Sequence, residues 1–372
     1  VERILNKHKQ SNVPLKRKVF VGISGGVDSA VAAALLKRKG YNVHGVFMRE
    51  YDLSLPEAFG EKIHCTQEGD RQSALAVAAA LDIPFEEWDF RKEYERFVVR
   101  YMIREYKSGR TPNPDVLCNS TIKFGMFLQK ALKRGADAIA TGHYAKIRIT
   151  KSAHGTMYHL LQAADLNKDQ SYFLYQLKQD QLQHCLFPLA TRTKPEVRML
   201  AKKFKLPNWD RKDSQGVCFI GKLSMKEFLQ SSIRQKKGKL MTPDRKVVGV
   251  HDGAAYFTIG QRHGLGFDGG DAAYYVVDKD MKKNIVIVDH QKPTSSLYKK
   301  ELTCEDMHWI AGVPLKFPYS CMARIRYRQP LQKAIIHMGM KVRFAVAQRA
   351  ITPGQAVVFY KGKECLGGGI IH

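Results

Sequence analysis

Paired cysteines are missing from this sequence. Its seven, Cys65, Cys118, Cys185, Cys218, Cys304, Cys321 and Cys365, are scattered without a CxxC. That argues against a zinc ribbon, an iron–sulfur cluster of the usual spacing and a secreted disulfide framework, and leaves reduced thiols, some of them reactive. No apolar run approaches the ~18 residues that would span a bilayer, so the chain reads as soluble, with no membrane partner. Acids are scarce: 61 Lys and Arg stand against 35 Asp and Glu, a net charge of +26. Such an excess points to a polyanionic partner, most simply nucleic acid, or to the general basicity of a compartment such as the mitochondrial matrix. There is no internal repeat and no low-complexity segment, and the glycine pair at Gly25 and Gly26 lacks GxGxxG spacing.

With 372 residues, two or three domains are expected. Residues 1–17 form a basic arm, and the leading Val1 reads as a processing or cloning boundary. Apolar runs and alternating helical patterns predict strands at Val19–Ile23, Val43–Met48, Pro84–Phe90 and Ala136–Thr141. Helices are predicted at Asp28–Lys39, Asp70–Leu81, Arg91–Lys107 and Thr121–Arg134. This alternation implies a doubly wound parallel α/β sheet over 18–205, with ligands beyond the carboxyl ends of the strands. After a helix at Ser224–Arg234, short Gly-punctuated strands predict a small, mostly β central domain over 206–290. Residues 291–372, with 13 basic and 4 acidic side chains, predict a basic C-terminal β-barrel suited to a nucleic-acid partner.

The stretch Gly22–Ser29, GISGGVDS, lies between the first strand and the first helix. Gly25 and Gly26 let backbone N–H groups approach a phosphate, and the helix start adds its positive dipole. Ser24 and Ser29 offer hydroxyls, and Asp28 an oxygen for Mg2+. The lysine of an ordinary P-loop is absent. The string resembles the PP-loop of ATP pyrophosphatases, which adenylate a substrate oxygen.

Further along, GRTPNPDVLCN sets Asp115 three residues before Cys118, a spacing that shares a face if the turn is helical. Asp115 could act as general acid or base, and Lys123 with the helix start would favour a thiolate. In KDSQGVCFIG, Cys218 precedes an apolar run. Adenylation turns a carbonyl oxygen into a leaving group. A persulfide on one cysteine could then attack the carbon and a second thiol release the sulfur, leaving a disulfide.

GISGGVDS, FMREYD, GRTPNPDVLCN, ATGHYA, NKDQSYFL, EVRMLA, DSQGVCFIG, HDGAAYFTIGQRHGLG, RIRYR and AITPGQAVVFY, in that order, resemble the tRNA-specific 2-thiouridylase family from about Lys18 to the C-terminus. The resemblance implies ATP-dependent 2-thiolation of the wobble uridine in tRNAs for Lys, Glu and Gln. It implies ATP contacts at Gly22, Ile23, Ser24, Gly25, Gly26, Val27, Asp28, Ser29, Met48 and Gly142, and target-base contacts at Asn113, Pro114 and Asp115. Cys118 matches the nucleophile or resolving cysteine and Cys218 the persulfide carrier, fed by a desulfurase or relay protein. Contacts to the tRNA anticodon stem-loop are implied at His143, Lys168, Asp169, Gln170, Arg326, Tyr327 and Gln355. The chain departs from the family at Ser120, where many bacterial relatives carry lysine, and at Arg49–Asp52, where the family often has lysine, asparagine and tryptophan. Eukaryotic members work in mitochondria, which suits the basic start; a bacterial cytoplasm is the alternative. Two rivals remain open, a small-molecule amide synthetase and an RNA-binding protein with a vestigial nucleotide site. Outside these motifs, Arg96, Arg100 and Arg104 recur at four-residue spacing on one predicted helix.

Overall fold

The computed structural model describes residues 17–50, 66–153, 155–213, 225–234, 236–266, 273–290 and 296–372; Cys65, Cys218 and the N-terminal arm lie outside them. Five parallel strands form the first sheet: β1 (Lys18–Gly22), β2 (Asn42–Arg49), β3 (Phe85–Asp89), β4 (Ala138–Ala140) and β7 (Cys185–Leu186), in the order β3-β2-β1-β4-β7. Helices α1 (Val27–Arg38) and α2 (Thr66–Ala80) connect the early strands. Val19, Phe20 and Val21 are buried, as a strand covered on both faces requires. Ala30 and Ala32–Ala34 make α1 thin enough to sink into the same core. The winding direction reverses beside β1, so the loops after β1, β2 and β4 share one crevice. This is the doubly wound sheet expected from the alternation.

Two helices differ from their sequence patterns. Helix α3, over 91–107, is α-helical at Arg91–Tyr94 and Arg100–Lys107, with a π-helical turn at Glu95–Val99 between. Helix α4, expected from Thr121, begins at Pro114: Asn113 caps it, accepting from the Asp115 N–H at 3.2 Å, and proline occupies the first turn where no N–H is needed. Residues Cys118–Phe127 wind as π-helix before the α-helical end, Leu128–Lys133. Such bulges are frequent at functional sites.

A hairpin that the sequence patterns do not reveal, β5 (Ala145–Ser152) and β6 (Gly155–Gln162), leaves the crevice and joins another sheet. Helices α5 (Lys194–Lys203) and α6 (Met225–Ser232) follow. The central sheet holds β8 (Gly238–Met241), β9 (Val247–His251), β10 (Tyr274–Asp280) and β11 (Ile285–His290), ordered β10-β11-β8-β9. The C-terminal strands are β12 (Tyr298–Trp309), β13 (Tyr319–Arg324), β14 (Gln332–His337), β15 (Lys341–Arg349), β16 (Ala356–Lys361) and β17 (Glu364–Ile371). Pairing of β12 with β17 closes these six into the expected barrel, leaving no free edge at that seam. β17 also pairs with β6, so the hairpin stitches the first domain to the barrel. Among the described residues no helix is long and apolar enough to cross a membrane.

Candidate active site

The glycine loop is held from below and open above. The Ile23 N–H donates to Val46 O at 2.8 Å, and Ser29 Oγ braces the turn by accepting from Ser24 N–H and donating to Gly26 O. Gly25 lies at φ +80, and its carbonyl accepts from Ser73 Oγ, Asn208 Nδ2 and Arg211 Nη1 at 2.8, 2.8 and 3.1 Å. A Cβ on Gly25 would strike Asp70 O at 2.3 Å; among the described residues, one on Gly26 would meet only Ser24 Oγ, at 3.6 Å. Gly26 caps α1 with no side-chain bond to the first-turn N–H groups. Uncapped backbone donors at a helix start can hold an anion such as a phosphate group. Val27 is buried beneath, and the Met48 methyl abuts Gly22 at the floor. Gly142 allows the loop after β4 to close against α1, since a Cβ there would lie 2.7 Å from Ser29 N.

Asp28 is already engaged. Its carboxylate accepts from Lys194 Nζ at 2.7 and 2.8 Å and from Tyr144 Oη at 2.8 Å. Among the described residues no three acidic, His or Cys side chains converge on a metal position. A cation at Asp28 would therefore complete its shell from phosphate oxygens and water, which suits Mg2+.

Asp115 and Cys118 share the first turns of α4, as their spacing implies. Burial pushes the Asp115 carboxyl up; Lys123 opposes this and Glu50 reinforces it. A carboxyl raised by burial beside a cation is a candidate for proton transfer. Cys118 is buried, its Sγ directed at Glu50 Oε1 at 3.9 Å, and Lys123 Nζ lies 3.8 Å from the same oxygen. Lys123, expected to favour the thiolate, thus shares its charge with a carboxylate that disfavours it. Glu50→Gln is expected to speed alkylation of Cys118 at neutral pH roughly 3- to 10-fold, measured by peptide mass spectrometry after timed exposure to iodoacetamide. No disulfide joins any two of the described cysteines, so the expected disulfide has no counterpart among them; Cys218 is outside those residues.

The residues expected to contact tRNA gather where the barrel meets the first domain, largely in intramolecular bonds. Gln355 Nε2 donates to Thr111 O and Pro112 O at 2.9 and 3.3 Å, gripping the turn that presents Asn113, Pro114 and Asp115. Arg326 donates to Ala350 O, Thr352 Oγ1 and Ile259 O, and Tyr327 packs on Phe173 at 4.6 Å. Lys168 pairs with Asp213 at 2.7 Å. The Gln170 side chain accepts from the Tyr144 N–H at 2.9 Å. His143 bonds Thr141 Oγ1 at 2.8 Å, and burial, with Lys123 nearby, pushes it down to about 3, so it is neutral. Asp169 is sealed inside against Arg324 Nη2 at 2.5 Å. Of the arginine stripe on α3, Arg96 stacks over Phe97, and Arg100 and Arg104 lie beside Glu95 and Glu105.

Sequence reasoning missed Glu50, Lys194, Asp213 and Arg324. Lys194 and Asp213 reach the loop from far downstream, so no local spacing could announce them. Glu50 lies in the segment where the chain departs from the family pattern.

Three family models cover the chain: a tRNA methyl transferase HUP domain over residues 17–222, a tRNA methyl transferase PRC-barrel domain over 226–290 and an aminomethyltransferase beta-barrel domain over 299–371. The tRNA-specific 2-thiouridylase MnmA of Streptococcus mutans is 48% identical over 363 residues, 96% of this chain and 95% of that protein. The chain belongs to the tRNA-specific 2-thiouridylase family. Another 2-thiouridylase, from Nitrosococcus oceani, is 47% identical over 364 residues, 96% of this chain and 97% of that protein. Among solved structures, a U34-tRNA thiolase of Methanococcus maripaludis, with its [4Fe-4S] cluster, aligns over 59% of this chain and 65% of its own at 18% identity and a TM-score of 0.35. A 4-thiouridine synthetase–RNA complex with bound ATP aligns over 57% and 50% at 17% identity and a TM-score of 0.33.

Proposed function

We propose that this 2-thiouridylase-family chain is a tRNA-uridine 2-sulfurtransferase. It uses Mg2+-ATP to adenylate the 2-oxygen of the wobble uridine in tRNAs for Lys, Glu and Gln, then replaces that oxygen with persulfide sulfur. The observation that carries the reading is Cys118 Sγ lying 3.9 Å from Glu50, directly after β2, the strand paired with the β1 that leads into the lysine-free glycine loop. Such a site needs the base out of its stack, since a stacked uridine hides its 2-carbonyl. Asn113, Pro114 and Asp115 would receive it. The cradle at Gly25 and Gly26 would hold the phosphates, and a cation at Asp28 would offset their charge. Adenylate leaves as AMP when sulfur bonds to C2, so the oxygen departs on the phosphate and no external oxidant is consumed in that substitution. The sulfur arrives as a Cys218 persulfide, loaded by a desulfurase or relay protein. An amide synthetase would need neither thiol, and a vestigial nucleotide site would have no reason to keep its cradle open and its helix start uncapped. The two 2-thiouridylases named above are bacterial, which favours the bacterial cytoplasm over the mitochondrial address.

Nucleoside mass analysis of unmodified tRNA for Lys, after incubation with this protein, Mg2+-ATP and a persulfide-generating desulfurase, tests the reading. ATP-dependent 2-thiouridine is the expected product. Tight tRNA binding with neither AMP nor 2-thiouridine formed would overturn it in favour of a binding protein.

A further inference from the structure

We propose that Lys194 is the phosphate-binding lysine that the glycine loop lacks, supplied from α5 to hold the pyrophosphate portion of the nucleotide. This rests on reading Gly22–Ser29 as an ATP loop. Three features carry it. First, the ammonium lies at the mouth of the cradle: it bonds both oxygens of Asp28, in the first turn of α1 and two residues beyond the uncapped Gly26. Second, its main chain is fixed. Thr193 and Glu196 form a capping box at the start of α5, and the Lys194 N–H donates to Asp165 Oδ2 at 2.9 Å. Only the side chain, 13% exposed, has to turn for Nζ to change partners.

Third, Lys194 has a second carboxylate to hold it. Asp213 accepts from Lys194 at 2.8 Å, Arg198 at 2.7 Å and Lys168 at 2.7 Å. Burial works to raise the Asp213 carboxyl, yet Lys168 and Lys194 hold it well below the usual carboxylate range. Lys194 Nζ thus bridges Asp28 and Asp213, and its anchorage does not depend on Asp28 alone. Lys194 can exchange Asp28 for phosphate oxygens while Asp213 retains it, and Asp28 then becomes available to a cation. A lysine serves such a site as a compact point charge.

Calorimetric binding of Mg2+-ATP, pyrophosphate and AMP to the full chain, compared with Lys194→Met and Lys194→Arg, tests the assignment. Lys194→Met is expected to weaken ATP and pyrophosphate roughly 10-fold or more and AMP less than about 2-fold, with Lys194→Arg recovering most of the loss. Unchanged ATP affinity, or equal losses for ATP and AMP, would assign Lys194 to the frame instead. Should Lys194→Met fail to fold, the unaltered protein still decides: ATP and not AMP should shield Lys194 from an acetylating ester, read by peptide mass spectrometry, and equal labelling overturns the proposal. If the unaltered protein binds no ATP, the nucleotide reading itself falls, a result distinct from loss in the variant alone.

Discussion

Cys118→Ser is expected to lower 2-thiouridine formation, without added thiol, by on the order of 10³-fold or more, and to trap tRNA on the protein. The argument follows the electron pairs. In the proposed reaction the terminal sulfur of a Cys218 persulfide bonds to C2 as AMP leaves, so the base is joined to the protein through a sulfur–sulfur bond. A second thiolate must attack the Cys218 sulfur, forming a protein disulfide and leaving the pair of the broken bond on the product sulfur. The structure supplies a thiol for that step, Cys118, buried on α4 three residues past Asp115, the carboxyl proposed to meet the base. Serine fits the same space, but it does not ionise at working pH and cannot cleave the disulfide. Denaturing gel electrophoresis should show a tRNA–protein adduct that dithiothreitol releases as 2-thiouridine. Normal turnover by Cys118→Ser without added thiol would exclude this role for Cys118. In the proposed cycle the unaltered protein ends each round as a disulfide, so the comparison without thiol reads a single round and sustained turnover would need a thiol reductant.

The parts of this site legible in the sequence are those whose chemistry is local. GISGGVDS announces its cradle because glycine pairs, strand and helix start are contiguous, and NPDVLC sets its carboxyl and thiol by helical spacing alone. The parts that were not legible depend on tertiary approach. Lys194 meets Asp28 across 166 positions, and Asp213 collects cations from two separate segments, Lys168 from one and Lys194 with Arg198 from α5. Glu50 gains its significance only when the end of β2 packs beside α4. The hairpin β5–β6 escaped notice because its strands are mostly solvent-facing: Lys146, Arg148, Ile149, Thr150 and Lys151 are all exposed, so no clean apolar alternation marks β5. Its stability comes from pairing with β17, more than 190 residues away. Several residues expected to touch RNA also bond within the chain, where the barrel meets the first domain. Gln355 and Arg326 lie on the barrel side of that seam, and Lys168, Asp169 and Gln170 on the other.

Asp169→Ala is expected to cost about 3–5 kcal/mol of stability and to lower the melting midpoint by roughly 10 °C, far more than loss of one RNA contact would. Asp169 and Arg324 are 0% and 3% exposed, and join at 2.5 Å. The carboxylate also accepts from the N–H groups of Ala163 and Ser171 at 3.1 and 3.3 Å and from Ser171 Oγ at 2.9 Å. Arg324 in turn donates to Tyr360 Oη at 2.9 and 3.1 Å. Removing the carboxylate strands a guanidinium away from water, which costs more than the pair itself contributes. Replacing both partners, as Asp169→Leu with Arg324→Met, removes that stranded charge and should recover part of the loss. At temperatures where Asp169→Ala remains folded, tRNA affinity should stay within about 2-fold of the unaltered protein, because a sealed carboxylate offers a polyanion only repulsion. Thermal melts and tRNA titrations on the same samples separate the two roles. A stable Asp169→Ala protein with lost tRNA binding would return Asp169 to the RNA interface.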